Sequence, residues 1–201
     1  MYLSKWQLDK RKFRNPYQIH RQLWLAFPDM NKAARPFLYR IDWHQHGHLL
    51  PLLMQSTIKP LPLFDKGCEL LASKEFFPQF QPDQHLRFLL CANPVKRFKK
   101  EDRKYNPRKP LFEEAEQIGW LERQLQDGAS LEHIRADGEH ILYFRTKKEE
   151  HTQKQDAGKI VTVNFFGTLT VNNGIKFNEL LENGIGPAKS FGCGLLSLAR
   201  I

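Results

Sequence analysis

The alternation of apolar and polar positions changes period repeatedly along the first eighty or so residues. Residues 2–8 (Tyr-Leu-Ser-Lys-Trp-Gln-Leu) interleave aromatic and aliphatic side chains with polar ones, the period-two pattern of a strand. A basic link, Arg11-Lys12-Phe13-Arg14, leads to Asn15-Pro16. An Asn side chain can accept from the first free helical N–H groups, and Pro has the helical φ without needing a donor there, so this pair predicts a helix start. The helix is expected to carry Tyr17, His20, Leu23, Trp24 and Phe27 and to stop before Pro28. Its apolar face centres on Ile19, Leu23, Ala26 and Phe27, with His20 at the edge and Tyr17 further out. Strand patterns return over residues 37–42 and 49–56, with Trp43 to His48 as the turn between them. Residues 66–77 are mixed: the first half favours helix, while the end is extended towards Pro78.

A Pro/Gln/Asp stretch over 78–84 is the best candidate linker, and the pattern then restarts. Residues 86–95 form a strong strand pattern that runs into a basic segment ending at Pro110. A helix follows over 111–126, with an apolar stripe at 111, 115, 118, 121 and 125. Residues 141–145 and 160–171 are β-rich, 175–182 suits a short helix, and a glycine-punctuated segment over 184–194 leads to a last strand at 195–198. Strand–helix–strand–strand thus occurs twice, the second time followed by helix and strand. That order predicts an α+β fold of two split βαβ units, residues 1–84 and 85–201, with a repeat of element order and not of sequence.

Composition narrows the class. A 41% hydrophobic chain of 201 residues with fifteen Phe has enough apolar surface for real cores, which excludes a disordered tail. No run of about 18 apolar residues is present, so no membrane partner is expected. The start, Met1-Tyr2-Leu3-Ser4-Lys5-Trp6, lacks the pattern of a secretory signal. Cys68, Cys91 and Cys193 are widely spaced and show no CxxC pairing, so a disulfide framework or zinc ribbon is not expected, and a reducing cytoplasm is the natural compartment. His44, His46 and His48 alternate, but neighbouring Cys or clustered acids that would complete a metal site are missing; no metal and no cofactor is expected.

Charge points to a partner. Lys and Arg number 31 against 22 Asp and Glu, a formal net charge of +9, and a polyanion is the common reason for such an excess. The densest stretch, 96–109, holds eight cations (Lys96, Arg97, Lys99, Lys100, Arg103, Lys104, Arg108 and Lys109) against two acids, with Phe98 and Tyr105 interleaved. It can be a phosphate-contacting element or a solvated loop.

The strongest local signal is Gly184-Ile-Gly186-Pro-Ala-Lys189-Ser190-Phe-Gly192-Cys-Gly194. Glycines allow turns closed to other residues and let backbone N–H groups approach phosphate, while Lys189 and Ser190 add a charge and a hydroxyl. The segment is not a Walker loop and does not match GxGxxG; a tight loop before the last strand would also explain it. Together with Met1-Tyr-Leu-Ser-Lys5, Tyr17-Gln-Ile-His20, Leu23-Trp24, Phe27-Pro28, Ala92-Asn93-Pro94, Glu114-Ala-Glu-Gln-Ile118 and the run Gly192-Cys-Gly-Leu-Leu-Ser-Leu198, it makes the chain resemble the CasE family. These are the repeat-cleaving endoribonucleases of Cascade-type (type I-E) CRISPR systems, and the resemblance spans nearly the whole chain. It implies two tandem ferredoxin-like (RRM-like) domains and binding of a CRISPR repeat stem-loop. It further implies metal-independent cleavage at the base of the stem by the 2′-hydroxyl, giving a 2′,3′-cyclic phosphate and a 5′-hydroxyl. The product hairpin is then retained, with Cascade protein subunits as partners.

Within that resemblance His20 is the expected centre of the cut. Internal RNA attack needs one proton removed from the 2′-oxygen, one delivered to the 5′-oxygen, and stabilisation of the phosphorane charge. An unperturbed pKa of about 6.5 lets His do either transfer, and a place early in a helix would favour its neutral form. Tyr17, three residues earlier on the same side, matches the Tyr the family uses near its His, as proton donor or phosphate-orienting group. The resemblance also makes Lys159 a candidate for phosphate stabilisation from a loop before a strand, and places the basic element of 96–109 against the RNA stem. A non-catalytic RNA-binding subunit and a general RRM-like binder are the alternatives; the former would not need Tyr17 and His20 together, and the latter would carry an RNP1 aromatic signature that is missing.

Overall fold

The computed structural model describes residues 1–13, 15–28, 35–63, 67–98, 108–145 and 157–201. Strand β1 (Tyr2–Asp9) buries Ser4, Trp6 and Leu8, every second side chain, as its alternation requires. Asp9 then accepts from the Arg11 backbone N–H at 3.1 Å and opens a single 3-10 turn over Lys10–Lys12. Helix α1 (Pro16–Leu23) starts as the sequence dictates: the Asn15 side chain accepts from Tyr17 N–H at 3.0 Å, and Pro16 occupies the first turn. The α-helix ends earlier than the pattern suggests, because the chain tightens into a 3-10 turn over Trp24–Ala26. The carbonyl of Ala26 is taken by Leu61 N–H at 3.0 Å, which fixes the exit towards Phe27.

Strands β2 (Phe37–Ile41), β3 (Leu49–Ser56) and β4 (Cys68–Glu75) complete an antiparallel sheet of order β2-β3-β1-β4. The helical expectation for the first half of 66–77 is corrected here. Cys-Glu-Leu-Leu-Ala-Ser-Lys-Glu has good helix formers, but it pairs as an edge strand, Leu70 and Ser73 opposite Trp6 and Ser4. Edge pairing to a ready-made sheet outweighs local propensity. Ile19 and Leu23 of α1 and Trp6, Leu8, Leu50, Leu52 and Met54 of the sheet are at most 2% exposed. Each buried aliphatic of this kind contributes about 1.5–3 kcal/mol of transfer free energy.

The second half repeats the scheme. Strand β5 (His85–Ala92) is followed by a short ribbon, β6 (Val95–Arg97) paired with β7 (Arg108–Pro110), then helix α2 (Glu114–Leu125) and the long strands β8 (Ala129–Arg145) and β9 (Ala157–Val171). Helix α3 (Gly174–Asn183) and strand β10 (Leu196–Arg200) close the chain, and the sheet order is β10-β5-β9-β8. Both sheets therefore set the last strand beside the first and the third between the first and the second. That is the ferredoxin-like arrangement, twice, in an α+β fold. The stripe expected on α2 is rotated: Gln117, Trp120, Leu121 and Leu125 are buried, while Ala115 is exposed. Gln117 can face inwards because its amide donates to Leu111 O at 2.9 Å.

By compactness the chain forms two units: Met1–Pro78 with Ile141–Ile160 and Ala188–Leu195, and Gln79–His140 with Val161–Pro187 and Leu196–Ile201. Each sheet takes its strands from one side of residue 84, whereas the end of β8 and the start of β9 are counted with the first unit. Among the described residues no helix is long and apolar enough to cross a membrane. Cys68 and Cys193 are buried and form no disulfide, and burial pushes Cys68 up to about 12; the His44–His46–His48 turn is exposed.

Candidate active site

In the first unit, α1, the 3-10 turn that follows it and β2 bring four aromatic rings around one histidine. His20 is 9% exposed, more buried than a residue at the edge of the helical face. Its ring centroid lies 5.5 Å from Phe37, 6.2 Å from Trp24, 6.3 Å from Tyr17 and 6.4 Å from Tyr39, the last nearly parallel at 18°. Positions 37 and 39 share a face because a strand repeats every second residue, and Tyr17, His20 and Trp24 share a side of the helix because of the i, i+3 and i+4 spacings. Trp24 Nε1–H donates to His20 Nε2 at 3.1 Å. The other nitrogen, Nδ1, is buried and has no hydrogen-bond partner.

Electrostatics hold His20 neutral. Burial, and then the charge of Arg35, pushes its pKa from 6.5 down to about 4. The helix dipole is not the cause expected from sequence. α1 is only eight residues long, so His20 falls in its last turn, where the dipole favours the cation; desolvation prevails. Arg35 is felt at two further groups, Tyr39 and Lys189, and the Lys189 ammonium is pushed down by burial and by that same charge. Arg35 Nε is itself buried without a partner. A neutral imidazole that feels the charge of Arg35 is suited to receive a proton next to an anion. Tyr17 is 43% exposed, so this ring of the cluster meets solvent.

The glycine segment divides between the units. Gly184 and Gly186 belong to the second: Gly184, at φ +73°, ends α3 and donates to Leu180 O at 2.9 Å. A Cβ on Gly186 would meet the Trp120 ring at 2.7 Å. Lys189, Ser190, Gly192 and Gly194 belong to the first unit. Lys189–Phe191 is a 3-10 turn, Gly192 N–H donates back to Lys189 O at 3.4 Å, and Ser190 O accepts from the buried Tyr39 hydroxyl at 2.7 Å. Gly192 and Gly194 are buried, and Phe191 packs on Tyr17 at 6.2 Å. The loop is thus fastened to β2 and α1, and it presents Lys189 on the side of Arg35.

Lys159 is exposed, but in strand β9 and not on a loop before it. Its neighbour Gly158 leaves room for Phe144, whose ring lies 4.9 Å from Phe191. In the second unit, Lys96 and Arg97 stand directly opposite Lys109 and Arg108, all four exposed, with Lys109 Nζ 4.8 Å from the centre of the Phe98 ring. Like charges facing each other across a ribbon are unfavourable alone and favourable against a polyanion. Lys99, Lys100, Arg103 and Lys104 lie outside the described residues. Arg35, Tyr39 and Trp24 were not singled out by sequence reasoning as site residues; the period-two face of β2 and the i, i+4 spacing on α1 were the signals that could have found the last two.

A family model described as "CRISPR associated protein" matches residues 1–200. The chain is 38% identical to the Cascade subunit CasE of Escherichia coli (strain K12), with 100% of both chains covered. It is 32% identical to the CRISPR-associated endoribonuclease Cse3 of Thermus thermophilus, covering 99% of this chain and 100% of that one. Among solved structures, Cse3 bound to a 19 nt RNA superposes with a TM-score of 0.85 at 28% identity over 100% of both chains. With full-length matches in sequence and in fold, this chain belongs to the CasE family of CRISPR-associated proteins.

Proposed function

We propose that this protein is the repeat-processing endoribonuclease of a Cascade-type CRISPR system, cutting precursor RNA at the base of each repeat stem-loop without a metal and keeping the product hairpin as a Cascade subunit. The observation that carries the reading is His20: a neutral, buried imidazole beside Tyr17, within electrostatic reach of Arg35, whose charge also acts on Lys189. A relative named as an endoribonuclease, and a related structure with RNA bound, support it. His20 takes the proton of the 2′-hydroxyl, the 2′-oxygen bonds to phosphorus, and the phosphorus–5′-oxygen bond breaks. The 5′-oxygen leaves with a proton supplied through Tyr17, and Arg35 and Lys189 stabilise the phosphorane charge. The products are a 2′,3′-cyclic phosphate and a 5′-hydroxyl. Binding draws on the paired cations of β6 and β7, on the further basic residues of that segment, on Lys159, and on the glycine loop, whose buried glycines act by shaping it and aiming Lys189 and Ser190.

Product-end analysis tests this. A repeat hairpin cut in excess EDTA should yield a fragment whose 3′ end resists a ligase until the cyclic phosphate is opened and removed, and a partner whose 5′ end is labelled by a kinase without prior dephosphorylation. Loss of cutting in EDTA, or a 5′-phosphate product, would contradict the chemistry.

A further inference from the structure

The two ring nitrogens of His20 are treated differently. Nε2 lies 3.1 Å from Trp24 Nε1, while Nδ1 is buried and unpartnered. An indole N–H can only donate, so Nε2 is the acceptor, and a neutral imidazole then carries its hydrogen on Nδ1. We propose that Trp24 is a positioning residue for His20: its N–H selects the Nδ1–H tautomer and so makes Nε2 the nitrogen that receives a proton. This rests on the reading of His20 as the proton-transfer group and adds which nitrogen that role uses.

Trp24 is held where it can do this. Its backbone N–H donates to His20 O one helical turn back. Its indole meets Phe37 edge-on at 5.5 Å and the imidazole at 79°. Among the described residues, the titratable and charged groups facing His20 are Tyr17 from α1, Tyr39 from β2 and Arg35 just before β2. A hydrogen bond accepted at Nε2 favours the neutral ring, so it adds to burial and to Arg35 in opposing protonation. One lone pair cannot serve the indole and a 2′-hydroxyl together. The substrate hydroxyl must therefore replace the indole N–H at Nε2, pass its proton there as the 2′-oxygen–phosphorus bond forms, and leave Trp24 to hold the ring's orientation through packing.

Long-range proton–nitrogen correlation spectra of the full-length, RNA-free protein test the proposal without relying on cleavage. In the wild type His20 should show a protonated Nδ1 and a bare Nε2. In Trp24→Phe that preference should collapse, and the midpoint of His20 titration, with the acid limb of kcat/KM, should rise by about half to one pH unit. Site-specific replacement of Trp24 by 3-benzothienylalanine, which keeps the bicyclic shape without the N–H, should do the same with less effect on folding. A protonated Nε2 in the wild type overturns the proposal, as does an unchanged tautomer and midpoint in the two variants. A lowered Tm alone, with tautomer and midpoint unmoved, assigns Trp24 a packing role and also overturns it. If His20→Ala cuts at the wild-type rate, the reading of the site falls, while the spectra still decide whether Trp24 sets the tautomer.

Discussion

Acidification should destabilise this protein through His20, and the amount can be worked from its surroundings. The folded protein holds the imidazole at about 4 against an ordinary 6.5, through burial and Arg35. The unfolded chain therefore binds a proton that the folded protein refuses between those two values. Stability from this group is complete above the unfolded value and is lost as pH falls towards the folded one. At pH 4.5 the loss relative to pH 7.5 is about 2.5 kcal/mol from this residue alone. Urea denaturation at both pH values, for wild type and His20→Leu without RNA, isolates the effect, because every other titrating group cancels between the two proteins. The wild type should lose about 2.5 kcal/mol more than the variant, which is a large fraction of a domain's stability. Equal losses, within about 0.5 kcal/mol, would refute a buried neutral histidine.

Three further outcomes follow from the same geometry. Gly192→Ala should lower stability by about 1–2 kcal/mol in a thermal melt, because φ is +86° and the new Cβ would sit 3.3 Å from the Tyr39 ring. Tyr17→Phe, at a position 43% exposed, should leave Tm unchanged and slow cleavage by about tenfold or more in single-turnover assays. If Lys189 makes the proposed phosphate contact, Lys189→Ala should reduce the slope of log affinity for the hairpin against log salt by about 0.7–0.9; an unchanged slope would remove Lys189 from the proposed RNA interface.

Local signals in the sequence were read well. Asn15-Pro16 starts α1 because capping needs only neighbouring residues, and β1, β3 and β5 alternate because one face of each is buried. Where tertiary pairing overrides local preference the sequence misleads. Residues 68–75 read partly as helix yet fill a sheet edge. The polar stretch 129–140 hides the first part of β8, which carries His133 at φ +47° and Gly138 at φ +52°. The stripe on α2 was misjudged because a buried Gln117 satisfied by a backbone carbonyl looks polar in sequence. Helical spacing and the family resemblance both pointed to His20 and Tyr17, and their rings lie 6.3 Å apart. Arg35 and Lys189 meet only through folding of distant segments, and nothing in their neighbours announces it. The neutral state of His20 was anticipated, but its cause is desolvation and not the helix end.

The central claim is that His20 moves a proton in a cut that needs no metal. Its most direct test is single-turnover cleavage of a labelled repeat hairpin in excess EDTA, comparing wild type with His20→Ala at saturating protein and measuring binding in parallel. The account predicts full cleavage by the wild type, unchanged hairpin affinity for the variant, and a rate at least about 100-fold lower. A variant that cuts at the wild-type rate, or a wild type silenced by EDTA, would contradict it.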